Sequence, residues 1–251
     1  MIKLQLSIHE EVQKSLKYNV SPLFEMAASL HALAHPNALA VHQGWISDTL
    51  NYFASEDLLE EWKYLSPIFQ KAIPTFFAPR SSHQANGVDE QYDFLVDLSN
   101  EKFVQALQNV FAIENIRTNA PLSQVEKDIQ EKPKAVKARF TLFLCTYLQF
   151  VFESKWEQIA PKLVKDIEKK AMACHSDQDL ISIILQMFPL HQYDPKLRSV
   201  SFDPSYFPYS FLPKDNTITT VFLSPSWFVS ETYFEVIHDR LYMTYPIASL
   251  P

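Results

Sequence analysis

Glycine is almost absent from this chain: among 251 residues there are two, Gly44 and Gly87. Phosphate cradles, dinucleotide turns and nucleophile elbows need glycine where the backbone bends sharply or approaches a ligand. No G-x-G-x-x-G, G-x-x-x-x-G-K or G-x-S-x-G can be written here, which argues against nucleotide-binding folds of the common kinds. Cysteine is equally scarce. Cys145 and Cys174 lie far apart, form no C-x-x-C pair and give no disulfide framework. Cys145 sits in a strongly apolar stretch and reads as a small core residue. Long apolar runs are missing too. The most apolar stretch, Phe140 to Phe152, is shorter than the roughly 20 residues a spanning helix needs, and polar residues interrupt it. The opening MIKLQLSIHEE has no apolar signal-peptide core. Positive charge is in deficit, with 22 Lys and Arg against 29 Asp and Glu, a net charge of −7. That balance opposes non-specific attraction to phosphate backbones and anionic lipid. The expectation is a soluble, cytoplasmic protein with no membrane partner, no cofactor and no DNA-reading module of its own.

What the chain has in quantity is aromatic side chains: 19 Phe, 11 Tyr and 4 Trp. Hydrophobic residues make up 47% and charged residues 20%, ordinary for a folded protein, so rings should supply much of the packing area. Residues 2–8, IKLQLSI, alternate apolar and polar, the period of a half-buried strand. Ser21 is a plausible N-cap, Pro22 suits the first helical position and Glu25 favours the first turn. The stripe Leu23, Met26, Ala27, Leu30 and Ala34 follows, and Pro36 ends the helix. Further helices are expected over Ala38–Phe53, Glu56–Ala72, Glu101–Ile113, Pro133–Phe152, Ser154–Ala173 and Asp177–Phe188. FTLFLCTYLQFVF, apolar nearly all round, marks a central buried helix. The loop signals Pro74, Pro79, Asn86 and Gly87 break the pattern between Ile73 and Val88.

After Pro189 the texture turns to strands: Ser199–Phe202, Thr217–Leu223, Thr232–Ile237 and Leu241–Tyr245, the last two joined by a hairpin turn at His238 to Arg240. The fold class expected is α+β, predominantly helical over 9–188 and strand-rich over 197–246. Its small sheet should be mainly antiparallel, formed by the N-terminal strand and the C-terminal strands, in a single domain over 1–251.

His31 and His35 lie four apart on a helix and could share a metal ion. Only Ala32, Leu33 and Ala34 intervene, with no base and no third ligand in register, so they are expected to be surface or capping histidines and no metal is expected. Lys162, Lys165, Lys169 and Lys170 interleave with Asp166 and Glu168 as a solvated helix face. Rings crowd the last fifth of the chain, and core packing is favoured there over a ligand pocket. His42, Trp45, Trp227 and Tyr233 are the candidate ligand contacts; Trp45 should pack inward against the Leu23–Ala34 stripe.

The run SPLFEMAASLHALAHPNALAVHQGW, Ser21 to Trp45, resembles the opening of a group of bacterial ArsR-like transcriptional regulators. The shared landmarks are Ser21, Pro22, Leu23, Glu25, Leu30, Leu33, Pro36, His42 and Trp45. YLQFVFESKWEQI is similar to that group's aromatic and tryptophan-bearing helix, and TTVFLSPSWFVSETYFEVIHDRLYMTYPI to its final strands ending in Y-P. The resemblance implies a regulatory domain that senses a small-molecule effector or dimerises. It also implies that DNA is read only through a C-terminal winged helix, which this chain lacks, and it offers no catalytic residues. The alternatives are an uncharacterised enzyme, perhaps hydrolytic, and a stand-alone protein-interaction domain.

Overall fold

In the computed structural model, which describes residues 2–36, 42–78, 88–115, 121–187, 191–202 and 216–247, the chain opens with β1 (Ile2–Leu6), a short α1 (Val12–Ser15) and β2 (Leu16–Tyr18). A helical run follows: α2 (Pro22–Ala34), α3 (Gln43–Ser55), α4 (Leu59–Lys71), a 3-10 turn at Thr75–Phe77, α5 (Val88–Asp97), α6 (Asn100–Asn115), α7 (Gln124–Glu131) and α8 (Pro133–Tyr147). A π-helical turn at Leu148–Phe152 leads into α9 (Glu153–Ala173), and α10 (Asp177–Met187) comes next. The remaining strands are β3 (His191–Asp194), β4 (Ser199–Phe202), β5 (Asn216–Ile218), β6 (Thr220–Ser226), β7 (Tyr233–Ile237) and β8 (Arg240–Pro246). Two units result, one of Ser21–Gln158 and one that combines Met1–Val20 with Ile159–Pro251.

The helical unit starts as its punctuation dictates. Ser21 Oγ accepts the Phe24 N–H at 3.1 Å, Pro22 occupies the first turn, and α2 stops before Pro36. Eleven of the thirteen residues of α2 are buried, so it runs through the core. Around it the packing is built from rings, whose offset and edge-on contacts add to their area burial. Phe69 lies parallel to Phe140 at 6.0 Å, Trp62 to Phe143 at 6.0 Å, and Phe53 meets Phe143 edge-on at 5.7 Å. Pro67 interrupts the ladder of α4, and Ser66 Oγ donates to the Lys63 carbonyl that the proline cannot serve.

Pro133 to Ala173 is one continuous helix of 41 residues, long and apolar enough by length and composition alone to cross a membrane. Its inward face, Phe140, Phe143, Leu144, Tyr147, Leu148 and Phe152, is packed into the helical core. The stretch is not buried all round as its composition suggests: Leu142 is 69% and Phe150 60% exposed, and Val164 on α9 also faces out. Cys145 is only partly buried, whereas Cys174 is buried.

The second unit holds two four-stranded sheets, where one mainly antiparallel sheet is expected from the sequence. The first has the order β3-β4-β1-β5, with β1 antiparallel to β4 and parallel to β5. The second has the order β2-β6-β8-β7, with β6 parallel to both β2 and β8 and only β7–β8 antiparallel. Hairpin chemistry explains the discrepancy. The turn at His238 and Asp239, with His238 at φ 55°, fixes the β7–β8 pair. It does not reveal that β8 inserts beside β6 with β7 outside it. β1 does join the two chain ends, through Leu4↔Val200 and Leu6↔Ile218. The unit's core draws Leu4, Leu6 and Val200 from one sheet, Val221, Leu223, Leu241 and Met243 from the other, and Leu180, Ile181 and Ile184 from α10. Each such side chain, fully buried, contributes about 2 kcal/mol.

Candidate functional site

No element is expected between Val88 and Glu101 from periodicity, yet α5 fills most of that stretch and makes one wall of a cleft. Helical spacing brings Glu90, Asp93, Phe94 and Asp97 to one side of α5, while Leu95 and Leu98 bury on another. Ser99 then starts α6, its Oγ accepting the Lys102 N–H at 3.2 Å. From α6 the stripe Lys102, Gln105, Ala106 and Asn109 faces the cleft, and Phe103, Leu107, Val110 and Phe111 point into the core. Thr75 and the buried Phe76, from the 3-10 turn, complete a cleft of about 870 Å³. Its floor is apolar: Phe76, Leu98 and Ala106 are buried and Phe94 half-buried. Its rim is polar, with three carboxylates against the single ammonium of Lys102. Asp93 and Asp97 have no ion-pair partner among the described residues, so the rim's field is negative. That combination suits a small organic cation with an apolar body.

A second constellation lies in the strand-bearing unit. Tyr245 O–H donates to Asp166 Oδ2 at 2.7 Å, and Lys170 Nζ reaches the same carboxylate at 2.7 and 3.0 Å while standing 4.5 Å from the Tyr245 ring centre. Burial, then the Asp166 carboxylate and the nearby Tyr18, push the Tyr245 phenol far above its ordinary range. Tyr18 is pushed up to about 12 by burial, followed by Cys174 and Asp166. These phenols therefore hold their protons, and the carboxylate is already shared by an ammonium and a hydroxyl. Such a closed network fixes β8 to α9 and is poorly suited to accept a proton from a substrate.

The sequence candidates fall elsewhere. His42, 5% exposed, begins α3, and Trp45 one turn later is only half-buried, so the histidine is the more deeply packed of the two. Trp227 is half-buried with Lys162 Nζ 4.3 Å from its ring, and Tyr233 opens β7 opposite Thr244. The first pair belongs to the helical unit and the second to the other, and none of the four lines the cleft. His31 and His35 are partly buried at the C-terminal end of α2. His31 Nδ1 meets the Phe69 carbonyl at 2.6 Å and His35 Nδ1 the His31 carbonyl at 3.0 Å, so both satisfy carbonyls that the helix ends of α4 and α2 leave open. Burial, then the charge of His35, lowers His31 to about 4 against the lift from its Phe69 bond. Among the described residues no group of three His, Cys, Asp or Glu could hold a metal ion. Of the supposed solvated lysine face, Lys162 and Lys170 are engaged on Trp227 and on Asp166 with Tyr245. The aromatics of residues 203–213 and residues 38–41, with which the second helix was expected to open, lie outside the described residues. Asp166, Tyr18 and the cleft residues carry no local motif; only the acidic spacing 90, 93, 97 could have signalled one face.

A protein-family model described as a family of unknown function (DUF5937) matches residues 2–137, more than half of the chain. No curated protein and no solved structure matches it.

Proposed function

We propose a function from the premise that this chain belongs to the DUF5937 family: it is the effector-sensing module of an ArsR-like bacterial transcriptional regulator, and its effector is a small organic cation. The observation that carries the sensing half of this reading is the cleft of about 870 Å³ between α5, α6 and the 3-10 turn, with its apolar floor and acidic rim. Its size matches the range of small-molecule sites, and its polar groups converge from two helices. The regulatory half is supported by the landmarks from Ser21 to Trp45 and by the final strands ending at Tyr245 and Pro246. In such a protein the effector acts by binding one of two states more tightly, and DNA is read by a separate module.

The test is a calorimetric titration of the chain with aromatic and aliphatic amines, their uncharged isosteres and matching carboxylates. Amines should bind, isosteres and carboxylates should not, and Asp93→Asn with Asp97→Asn together should weaken the amine at least about tenfold, consistent with loss of two charge contacts. Amine binding that survives the double substitution unchanged, or a preference for carboxylates, would move the effector away from this cleft.

A further inference from the structure

The two histidines at the end of α2 do more than close helix termini. A carbonyl oxygen can only accept, so each imidazole must carry its proton on Nδ1, leaving the lone pair of a neutral ring at Nε2. Among the described residues nothing bonds either Nε2. An imidazole whose N–H is anchored on a backbone carbonyl and whose other nitrogen is open is the arrangement that orients histidines for metal binding. The rings are also at a telling separation, with centroids 4.4 Å apart. A metal–nitrogen bond of about 2.0 Å puts each ring centre about 3.2 Å from the ion, so cis ligands at about 90° stand about 4.5 Å apart and tetrahedral ones about 5.2 Å. The two rings are thus near enough for one ion to reach both.

We infer that His31 and His35 form a two-imidazole site for a divalent late transition-metal ion, with Cu²⁺ bound most tightly. Cu²⁺ heads the affinity order for nitrogen ligands. With no third protein ligand among the described residues, water fills the remaining positions and the ion exchanges readily. The site goes beyond the effector reading and does not rest on it, since neither histidine lines the cleft.

Titration of the full chain with Cu²⁺ in a non-coordinating sulfonate buffer, followed by calorimetry and electron paramagnetic resonance, tests it. A single saturable ion with an axial spectrum split by imidazole nitrogen is expected. His35→Ala, at the helix end, should weaken binding at least about tenfold, in line with the loss of one of two ligands. His31→Gln, checked for folding by circular dichroism, should do the same, and the exposed His175→Ala should bind as the parent does. Equal affinity in His35→Ala, or an equal loss in His175→Ala, would overturn the inference.

Discussion

Tyr147 shows how one buried hydroxyl is accommodated. Its side chain is fully enclosed, and its oxygen lies 2.6 Å from Ser29 Oγ. Ser29 already donates to the Met26 carbonyl at 2.6 Å, so Tyr147 must be the donor between them. Burial raises its phenol, as it does for Tyr18 and Tyr64, both pushed up to about 12, and for Tyr245. An unfolded tyrosine titrates near 10. A raised folded value means that the stabilisation is whole below pH 10 and is lost as pH rises through 12. Absorbance at 295 nm should therefore show these four phenols ionising only together with unfolding, above the pH at which an unfolded tyrosine titrates. Tyr147→Phe should remove one delayed ionisation and cost about 1 kcal/mol in urea denaturation, because Ser29 keeps its own acceptor. Four smooth titrations near pH 10 in the folded protein would contradict this. At this scale the sequence spoke unevenly. The Ser21 cap was legible because capping is local, whereas the burial of His42 over Trp45 depends on neighbours brought in from distant segments.

The helices were the most legible elements, since a 3.6-residue apolar period survives in any surroundings. α7 was the harder case: Gln124–Glu131 is polar, and its two hydrophobic residues, Val125 and Ile129, are both buried. Its stability comes from its first turn. The Glu126 carboxylate accepts from Ser123 N–H at 2.8 Å, from Ser123 Oγ at 2.6 Å and from Lys71 Nζ at 3.0 Å. Burial pushes Glu126 up, but the Ser123 and Lys71 bonds outweigh it and the carboxyl ends below its ordinary range. A depressed folded value gives stability that is present above the unfolded pKa of about 4.3 and lost as pH falls through the lower folded one. Glu126→Gln should destabilise the protein at pH 7 and the difference should shrink as pH drops below about 4. Glu126→Ala at pH 7 should cost about 3 kcal/mol, combining a lost cap with the loss of the largely buried Lys71 ion pair. Urea midpoints across that pH range check both, and a gap that stays constant with pH would rule out the ion pair as its source. The sheets were less legible than any helix. β2 and β3 have only three and four residues, and strand order is set by crossovers that leave no periodic trace.

For the whole molecule, charge decides what the chain meets at a distance. A net charge of −7 repels the phosphates of duplex DNA, and only a concentrated basic face could overcome it. The lysines of α9 are one basic stretch of the sequence; in another, at the start of α8, Arg139 is paired with Glu61 and Lys137 donates to the Val96 carbonyl. On α9, Lys170 is held by Asp166 and stands over Tyr245, and Lys162 stands over the Trp227 ring, which leaves Lys165 and Lys169 exposed. Two neighbouring exposed lysines release about two counterions from DNA, far short of the six to ten phosphate contacts that give salt-sensitive, tight association. Residues 1–251 should therefore leave a 30-base-pair duplex unshifted in a mobility assay at about 0.15 M salt, with any residual binding no tighter than about 100 µM, the weak end of non-specific affinity. Charge reversal at Lys165 and Lys169 should change nothing measurable at that salt. Binding in the nanomolar range that tracks one DNA sequence would mean that this chain reads bases itself, and the assignment of DNA recognition to a separate module would fall with it.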